Sequence, residues 1–581
     1  MKRLINFILI LGIIIILYSC GEEFFDKEPP GTAAGKVMLN EKGVDVLLVG
    51  AYDALNGDQI FGGCMGTDWV YECASDNAYK GSQLGDQPPF NNLERYECLP
   101  SNEYMAQRWR DCFNGIGRSN NVINTLRLTQ EGDSPIPDNR AKEIEGEAKF
   151  LRAWYHFKLT KVFRNIPYIK TEEELGMSPV EVPNTSEGWE GIEADLQVAI
   201  DNLPTSPPKG EIGRVDKYAA VAVKAMAHMY QNELNEAEPL LDMIITSNKF
   251  GLVDNFRDNY NIHTEHNIES IFEIEGCADA SDRSYILAVL PTMHLIGKAG
   301  RGWGFYQPSY DLYETYQTNE DGLPVLDKED RVSIPTDMGI ASAEEFQPPD
   351  QQFDPRVDWT IARRGIPYLD WGIHEGREWL REQPNGGPFM SKKWMYWLYN
   401  ESYTSSGGKR TGYNHRVIRY GSHILLWKAE ILVEKGELDE ARKLVNQIRN
   451  RAKNSDYVMG RCYSYVMDGS DYDVNYDEPA ANYYIEPYPE GADAFSAQDK
   501  ARKAVRMEIR LETALEGNRF FDLRRWGIDD QVLSDFIAED VKFRTFMQGA
   551  TYNPNKNDYW PLPVSQVDLQ EGVLEQDPNY Q

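Results

Sequence analysis

A few groups of residues in this 581-residue chain have the types and spacing to do chemistry. His263-x-x-His266 with Glu269 offers two imidazoles and a carboxylate, a set that can hold a transition metal. The flanking sequence has no helical pattern, so the group reads as solvated surface. Asp471, Asp473, Asn475 and Asp477 alternate as the ligands of an EF-hand loop do. Tyr476 stands where that loop needs glycine, and Asn482 where it needs the bidentate glutamate. An EF-hand is excluded, and a looser structural calcium site is the one metal reading this spacing leaves open. Gly300-Arg-Gly-Trp-Gly304 lacks the strand-then-helix setting of a phosphate loop and reads as a turn or a close backbone approach. No G-x-S-x-G, P-loop or H-E-x-x-H occurs. With 92 Asp and Glu, some carboxylate pair falls at glycosidase separation by chance. The expectation is a binding protein, not an enzyme, with no cofactor.

Cys20 is a separate case. Lys2 and Arg3 precede an apolar run from Leu4 to Tyr18, the order of an exported leader and too short to span a membrane. The run ends Leu17-Tyr18-Ser19-Cys20, which resembles a bacterial lipobox. Sulfur is required there because the acyl glycerol is attached through it, and two acyl chains anchor a protein stably. The expectation is a leader over 1–19, lipid on Cys20, and a tether over 20–35. Six further cysteines follow, four of them (Cys64, Cys73, Cys98, Cys112) close together. In an exported chain this suggests one or two disulfides among those four, of undetermined pairing.

The formal net charge is −32, and more negative once Lys2 and Arg3 leave with the leader. That excludes nucleic acid as a partner and electrostatic adhesion to anionic lipid, both of which need clustered Lys and Arg. The lipid is then the one membrane attachment. Tyr, Phe and Trp make up 12% of the chain. Several lie in Gly-, Asn- and Pro-rich stretches, where a ring can pack against the C–H face of a sugar.

The elements that must position these residues are mostly helical. Apolar residues recur at helical spacing over Val37–Leu55 (Val44, Leu47, Leu48, Ala51, Leu55), Met105–Leu126 and Lys500–Glu516. The clearest helix is 141–163, with Ile144, Ala148, Leu151, Tyr155, Leu159 and Val162 on one face and Pro167 beyond its end. Glu233–Ile244 (ELNEAEPLLDMI) aligns with Glu437–Ile448 (ELDEARKLVNQI), each after an apolar helix. Ala227 and Ala429, then Ala237 and Ala441, let paired helices approach closely. These resemble tetratricopeptide hairpins dispersed in a larger fold, since no regular array follows. Ser270–Gly276 reads as a strand, and 56–100 and 250–420 as largely loop.

Four passages together resemble the SusD/RagB family of outer-membrane nutrient-binding lipoproteins of Bacteroidetes. They are the leader with Cys20 and FFDKEPPG; Glu145–Ile169 (EGEAKFLRAWYHFKLTKVFRNIPYI); Arg506–Gly527 (RMEIRLETALEGNRFFDLRRWG); and the end, YWPLPVSQVDL…EQDPNYQ, with Asp577 where asparagine is usual. Independently of any family, the third passage interleaves Arg506, Arg510, Arg519, Arg524 and Arg525 with Glu508, Glu512, Glu516 and Asp522. It reads as a structural ion-pair knot, with Phe520, Phe521, Leu523 and Trp526 filling core.

The resemblance implies a mainly α fold with tetratricopeptide-like hairpins, long irregular loops and few short strands. Parts 36–290 and 291–581 would pack as one unit. It implies that Glu22 and Glu23 direct the lipoprotein to the outer leaflet of the outer membrane, facing the exterior. It implies capture of a glycan and its delivery to a SusC-like TonB-dependent transporter. Peptide capture, a helical envelope scaffold and a lipid-anchored glycoside hydrolase are the alternatives. The family's aromatic platform comes from loops after the first helix and from mid-chain, and in those regions the candidates are Trp69, Tyr71, Tyr79, Trp303 and Tyr306 as stacking rings and Asp76 as acceptor of sugar hydroxyls.

Overall fold

A computed structural model describes residues 35–56, 68–276, 304–405, 410–411, 415–463 and 473–581. Cys20, Trp303 and the leader lie outside the described residues. The expected helices are present. α1 (Glu41–Asp53) starts at Asn40, whose side chain accepts from Gly43 N at 3.1 Å. α2 (Glu103–Gln130) is capped likewise by Asn102. α3 (Asp138–Phe163) extends the sequence expectation by one turn at its start and buries all six residues of the expected face.

α3 goes further than one face. From Gly146 to Phe163 every residue is buried, so it is the central helix of the bundle and not an amphipathic surface one. Its charged side chains therefore need partners, and they have them: Arg152 Nε meets Asp195 Oδ2 at 2.6 Å and its Nη1 meets Glu174 Oε2 at 2.6 Å. α4 (Trp189–Asn202), α5 (Lys217–Tyr230) and α6 (Leu234–Thr246) follow, each packed on the one before.

The internal match is a structural repeat. α5–α6 is one hairpin; α7 (Leu426–Glu434) and α8 (Leu438–Asn454) form the other. Both turn through a left-handed residue, Asn232 (φ 58°) and Gly436 (φ 80°). Both close with the same bonds: Glu233 N to His228 O at 2.9 Å, and Glu437 N to Leu432 O at 2.8 Å. Ala227, Ala237, Ala429 and Ala441 are fully buried where the helices cross. The hairpins are neighbours, with α6 on α7 and Glu238 of the first pairing Lys428 of the second at 2.9 Å.

α9 (Gln498–Thr513), α10 (Arg519–Arg525) and α11 (Asp529–Asp540) complete the helices that matter here. α9 carries the ion-pair knot. Glu512 meets Arg356 (3.0 Å), Arg419 (3.1 Å) and Arg451; Glu516 meets Arg419 and Lys393, each at 2.8 Å; Glu508 meets Arg356 (2.8 Å) and Arg449 (3.1 Å). Every one of these side chains is buried. Burial raises the pKa of Glu516, but Arg419 and Lys393 outweigh it and bring the carboxyl down to about 2. Phe520, Phe521 and Leu523 are fully buried, while Trp526 is half-buried.

Strands form short two-stranded ribbons. β1 (Ala78–Gly81) pairs antiparallel with β3 (Phe305–Pro308), and β2 (Ser270–Ile274) with β4 (His415–Arg419). The β1–β3 ribbon joins the two distant regions that the sequence singled out. It needs glycine: a Cβ on Gly81, at φ 74°, would sit 2.6 Å from Gly304 O. Gly304, the last residue of the glycine-rich stretch, is thus at a close backbone approach. The expectation of two disulfides is corrected. Cys73 and Cys98 are buried free thiols, Cys73 donating to Tyr79 O at 3.3 Å, so neither contributes a bridge; Cys64 lies outside the described residues.

Candidate functional site

The structure gathers Trp69, Tyr71, Asp76, Tyr79 and Tyr306 within one region and buries all of them, with relative exposures of 6, 2, 2, 1 and 2%. An exposed platform made of these rings is therefore corrected. Trp69 packs edge-on to Phe90 (5.1 Å between centroids) and against Tyr306 (5.7 Å). Tyr71 lies against Trp560 (4.8 Å) and Phe521 (5.8 Å). The Tyr306 hydroxyl donates to Glu72 at 2.5 Å, and Glu72 also takes Asn77 Nδ2 (2.8 Å) and the Leu515 and Gly517 amides. A fully buried carboxylate that receives four donors needs no sugar. Asp76 is held bidentately by Arg519 (2.8 and 2.9 Å) and by Arg510 (3.1 Å). Burial opposes its ionisation, and the two arginines outweigh that and lower its pKa. Trp69, Tyr71, Asp76 and Tyr306 are thus core, and of the five only Tyr79 lines a cleft that opens beside that floor of packed side chains.

The cleft has a volume of about 540 Å³. Ser309, immediately after β3, caps the short helix Tyr310–Thr315: its Oγ accepts from Leu312 N at 3.0 Å and donates to Asp76 O at 2.5 Å. That fixes Tyr310 at the cleft wall. Its ring stacks on Phe543, 4.7 Å between centroids and 25° between planes, and Phe543 is 48% exposed. Tyr79 lines the same cleft from below, its hydroxyl accepting from Tyr310 N at 3.2 Å and its ring under the Arg544 guanidinium at 3.8 Å.

The polar lining is mixed in sign. Asp311 takes Arg510 Nη2 (2.7 Å) and Lys328 Nζ (2.9 Å), and Lys328 also reaches Glu539 at 2.8 Å. Glu314 accepts from Ile334 N at 3.2 Å, and burial raises its pKa. Arg331 is held by Thr315 Oγ1 (3.0 Å), and burial lowers its pKa despite Asp311 beside it. Stacked rings with carboxylates and cations around them suit a ligand with a C–H face and a rim of hydroxyls.

The sequence reading missed Tyr310 and Phe543. Tyr310 lay four residues past Tyr306, behind the Pro308-Ser309 helix start. Phe543 falls three residues past the end of α11 and seven after Phe536, a spacing that continues the buried stripe, so nothing in the pattern marked it as an outward ring; the end of the helix at Asp540 turns it out.

The metal candidates separate. His263 and His266 are exposed, and His263 Nε2 meets Asn400 Oδ1 at 2.7 Å, whereas Glu269 is fully buried on Arg419 and Arg451. Asn475 and Asp477 lie on the extended strand Val474–Pro479, with Asn475 Nδ2 on Glu478 at 2.8 Å; Asp471 is outside the described residues.

The profile described as "SusD family" matches residues 268–580, and that described as "Starch-binding associating with outer membrane" matches 23–230. Among curated proteins, SusD-like protein P25 of Formosa agariphila is 24% identical, over 98% of each chain, and SusD-like protein P2 of the same organism is 21% identical over the full length of both. Among solved structures, surface glycan-binding protein A from Bacteroides fluxus superposes with a TM-score of 0.67 at 23% identity, covering 93% of this chain and 100% of that one. Surface glycan-binding protein A from Bacteroides thetaiotaomicron, in complex with laminarihexaose, superposes with a TM-score of 0.65 at 22% identity, covering 93% and 100%.

Proposed function

The chain belongs to the SusD family, and from that premise we propose that it is a lipoprotein of the outer membrane that binds glycan at the cell surface and passes it to a SusC-like TonB-dependent transporter. Cys20 carries the anchor, and the acidic residues after it direct the protein outward. The observation that carries the glycan reading is the Tyr310–Phe543 stack, a half-exposed ring pair at the mouth of a cleft whose rim offers Glu314, Glu539, Lys328 and Arg331. A sugar ring would lie against Phe543 with its hydroxyls toward those side chains. The binding of laminarihexaose by a structural neighbour supports this class of ligand. The protein binds without turnover.

The test is calorimetric titration of the purified chain against polysaccharides, their oligosaccharides including laminarihexaose, and mixed peptides, with reducing-end release followed in parallel. Saturable glycan binding without new reducing ends, weakened at least tenfold by Phe543→Ala and Tyr310→Ala, is the expected result. Peptide binding would replace glycan as the cargo, and reducing ends abolished by a single carboxylate variant would make the protein a hydrolase.

A further inference from the structure

The repeated hairpins differ at one place that the fold does not need. At the turn between α5 and α6, His228 is 6% exposed and its Nδ1 faces two carboxylates: Glu233 Oε2 at 2.7 Å and Glu193 Oε1, on α4, at 3.9 Å. One atom from each of the three lies within 4.8 Å of the others. Gln231 Nε2 donates to Glu193 Oε1 at 2.7 Å and so holds that carboxylate toward the histidine. In the second hairpin Leu432 occupies the place of His228, and the turn closes through the same backbone bonds. The imidazole and the reach of Glu193 are therefore surplus to building the turn.

We propose that Glu193, His228 and Glu233 form a site for a divalent transition cation of the zinc type. The chemistry matches: one imidazole nitrogen and two carboxylates neutralise the ion's charge and leave a fourth tetrahedral position for water. Metal–ligand lengths near 2.1 Å place tetrahedral ligand atoms roughly 3.4 Å apart, and the separations of 2.7 and 3.9 Å bracket that value. Magnesium and calcium are excluded by their demand for six or more oxygens.

A second cluster, His266 with Glu273 and Glu275, also brings one atom from each residue within 4.8 Å of the others, but its shortest contacts diverge. There Nδ1 faces Glu273 at 3.5 Å and Nε2 faces Glu275 at 3.4 Å, so the two carboxylates address opposite nitrogens. The shortest approaches thus use both ring nitrogens, and a single ion cannot take both nitrogens of one ring. At His228 both carboxylates converge on one nitrogen. An ion there ties α4 to the α5–α6 turn.

The experiment is titration of the metal-free full chain with zinc chloride in excess magnesium, followed by calorimetry, with cobalt(II) absorption as a second readout. Expected is one saturable site of tetrahedral cobalt spectrum. His228→Leu, which copies Leu432, weakens zinc at least tenfold while the far-ultraviolet circular dichroism stays unchanged. Should that variant fail to fold, Glu193→Gln, which leaves the His228–Glu233 bond in place, shows the same tenfold loss. Absence of saturable zinc binding, or unchanged affinity in both His228→Leu and Glu193→Gln, overturns the proposal.

Discussion

Two of this protein's buried charge clusters are built on opposite plans. In the α9 knot the carboxylates of Glu269, Glu508, Glu512 and Glu516 are shared among Arg356, Arg419, Arg449, Arg451 and Lys393, and each cation reaches an acid. Near the start of the chain one carboxylate, Asp68, receives Arg108 (2.8 Å), Lys158 (2.5 Å) and Lys161 (2.7 Å). Burial raises the pKa of Asp68, yet the three cations outweigh it and keep the acid ionised. The strain appears on the other side: burial, with Lys161 and Arg108 close by, brings Lys158 down to about 7 despite Asp68. The difference teaches that both plans keep their arginines charged and press on their lysine: burial lowers the pKa of Lys393 in the knot despite Glu516 beside it, as it lowers that of Lys158.

The comparison can be broken from its strongest point downward. Asp68→Asn leaves three buried cations facing a neutral amide and is expected to cost about 5 kcal/mol, the upper end for breaking a buried pair. Glu512→Gln is expected to cost less, about 3 kcal/mol, because Glu269, Glu508 and Glu516 still serve the same arginines. Urea unfolding of the two variants beside the wild type checks the order; a larger loss for Glu512→Gln would refute the reading of the Asp68 cluster as the more vulnerable.

Lys158→Met tests the crowding directly. A lysine whose pKa is lowered in the folded state binds fewer protons than in the unfolded chain between about 7 and its ordinary value of 10.5. Wild-type stability therefore rises with pH across that window, and the penalty from Lys158 is fully present only below it. The methionine variant is expected to be more stable at pH 6, by on the order of 1 kcal/mol, and to lose that advantage by pH 9. A pH-independent difference in urea midpoint would argue against titration of Lys158. The smallest effect is expected at the cleft rim, where Glu539 is half exposed beside Lys328. Glu539→Gln should change stability by about 0–1 kcal/mol, measurable as a near-unchanged midpoint.

Much of this was legible in the residues. Helical spacing located α1, α2, α3 and α9, and the match of Glu233–Ile244 to Glu437–Ile448 disclosed the two hairpins before their turns were seen. The alternation of arginine and glutamate over Arg506–Glu516 identified the knot. Partners were another matter: Arg356, Arg419 and Arg451 come from scattered segments with no shared pattern. The sequence also pointed to the two regions that β1 and β3 bring together, but it took buried rings there for exposed ones. Trp69, Tyr71 and Tyr306 stand in Gly-, Asn- and Pro-rich surroundings that resemble surface loop, and the chain folds back over them.

The sequence by itself determined the local part of this protein: helix periods, turn residues such as Asn232 and Gly436, and the repeat. Those depend on neighbours a few residues apart, so the pattern contains them. Only the tertiary structure decided which aromatic faces water and which acid meets which base. Tyr306 and Tyr310 are the same residue type four positions apart, yet one bonds a buried Glu72 and the other stacks at a cleft mouth. Exposure is set by segments hundreds of residues away that cover one ring fully and the other only in part.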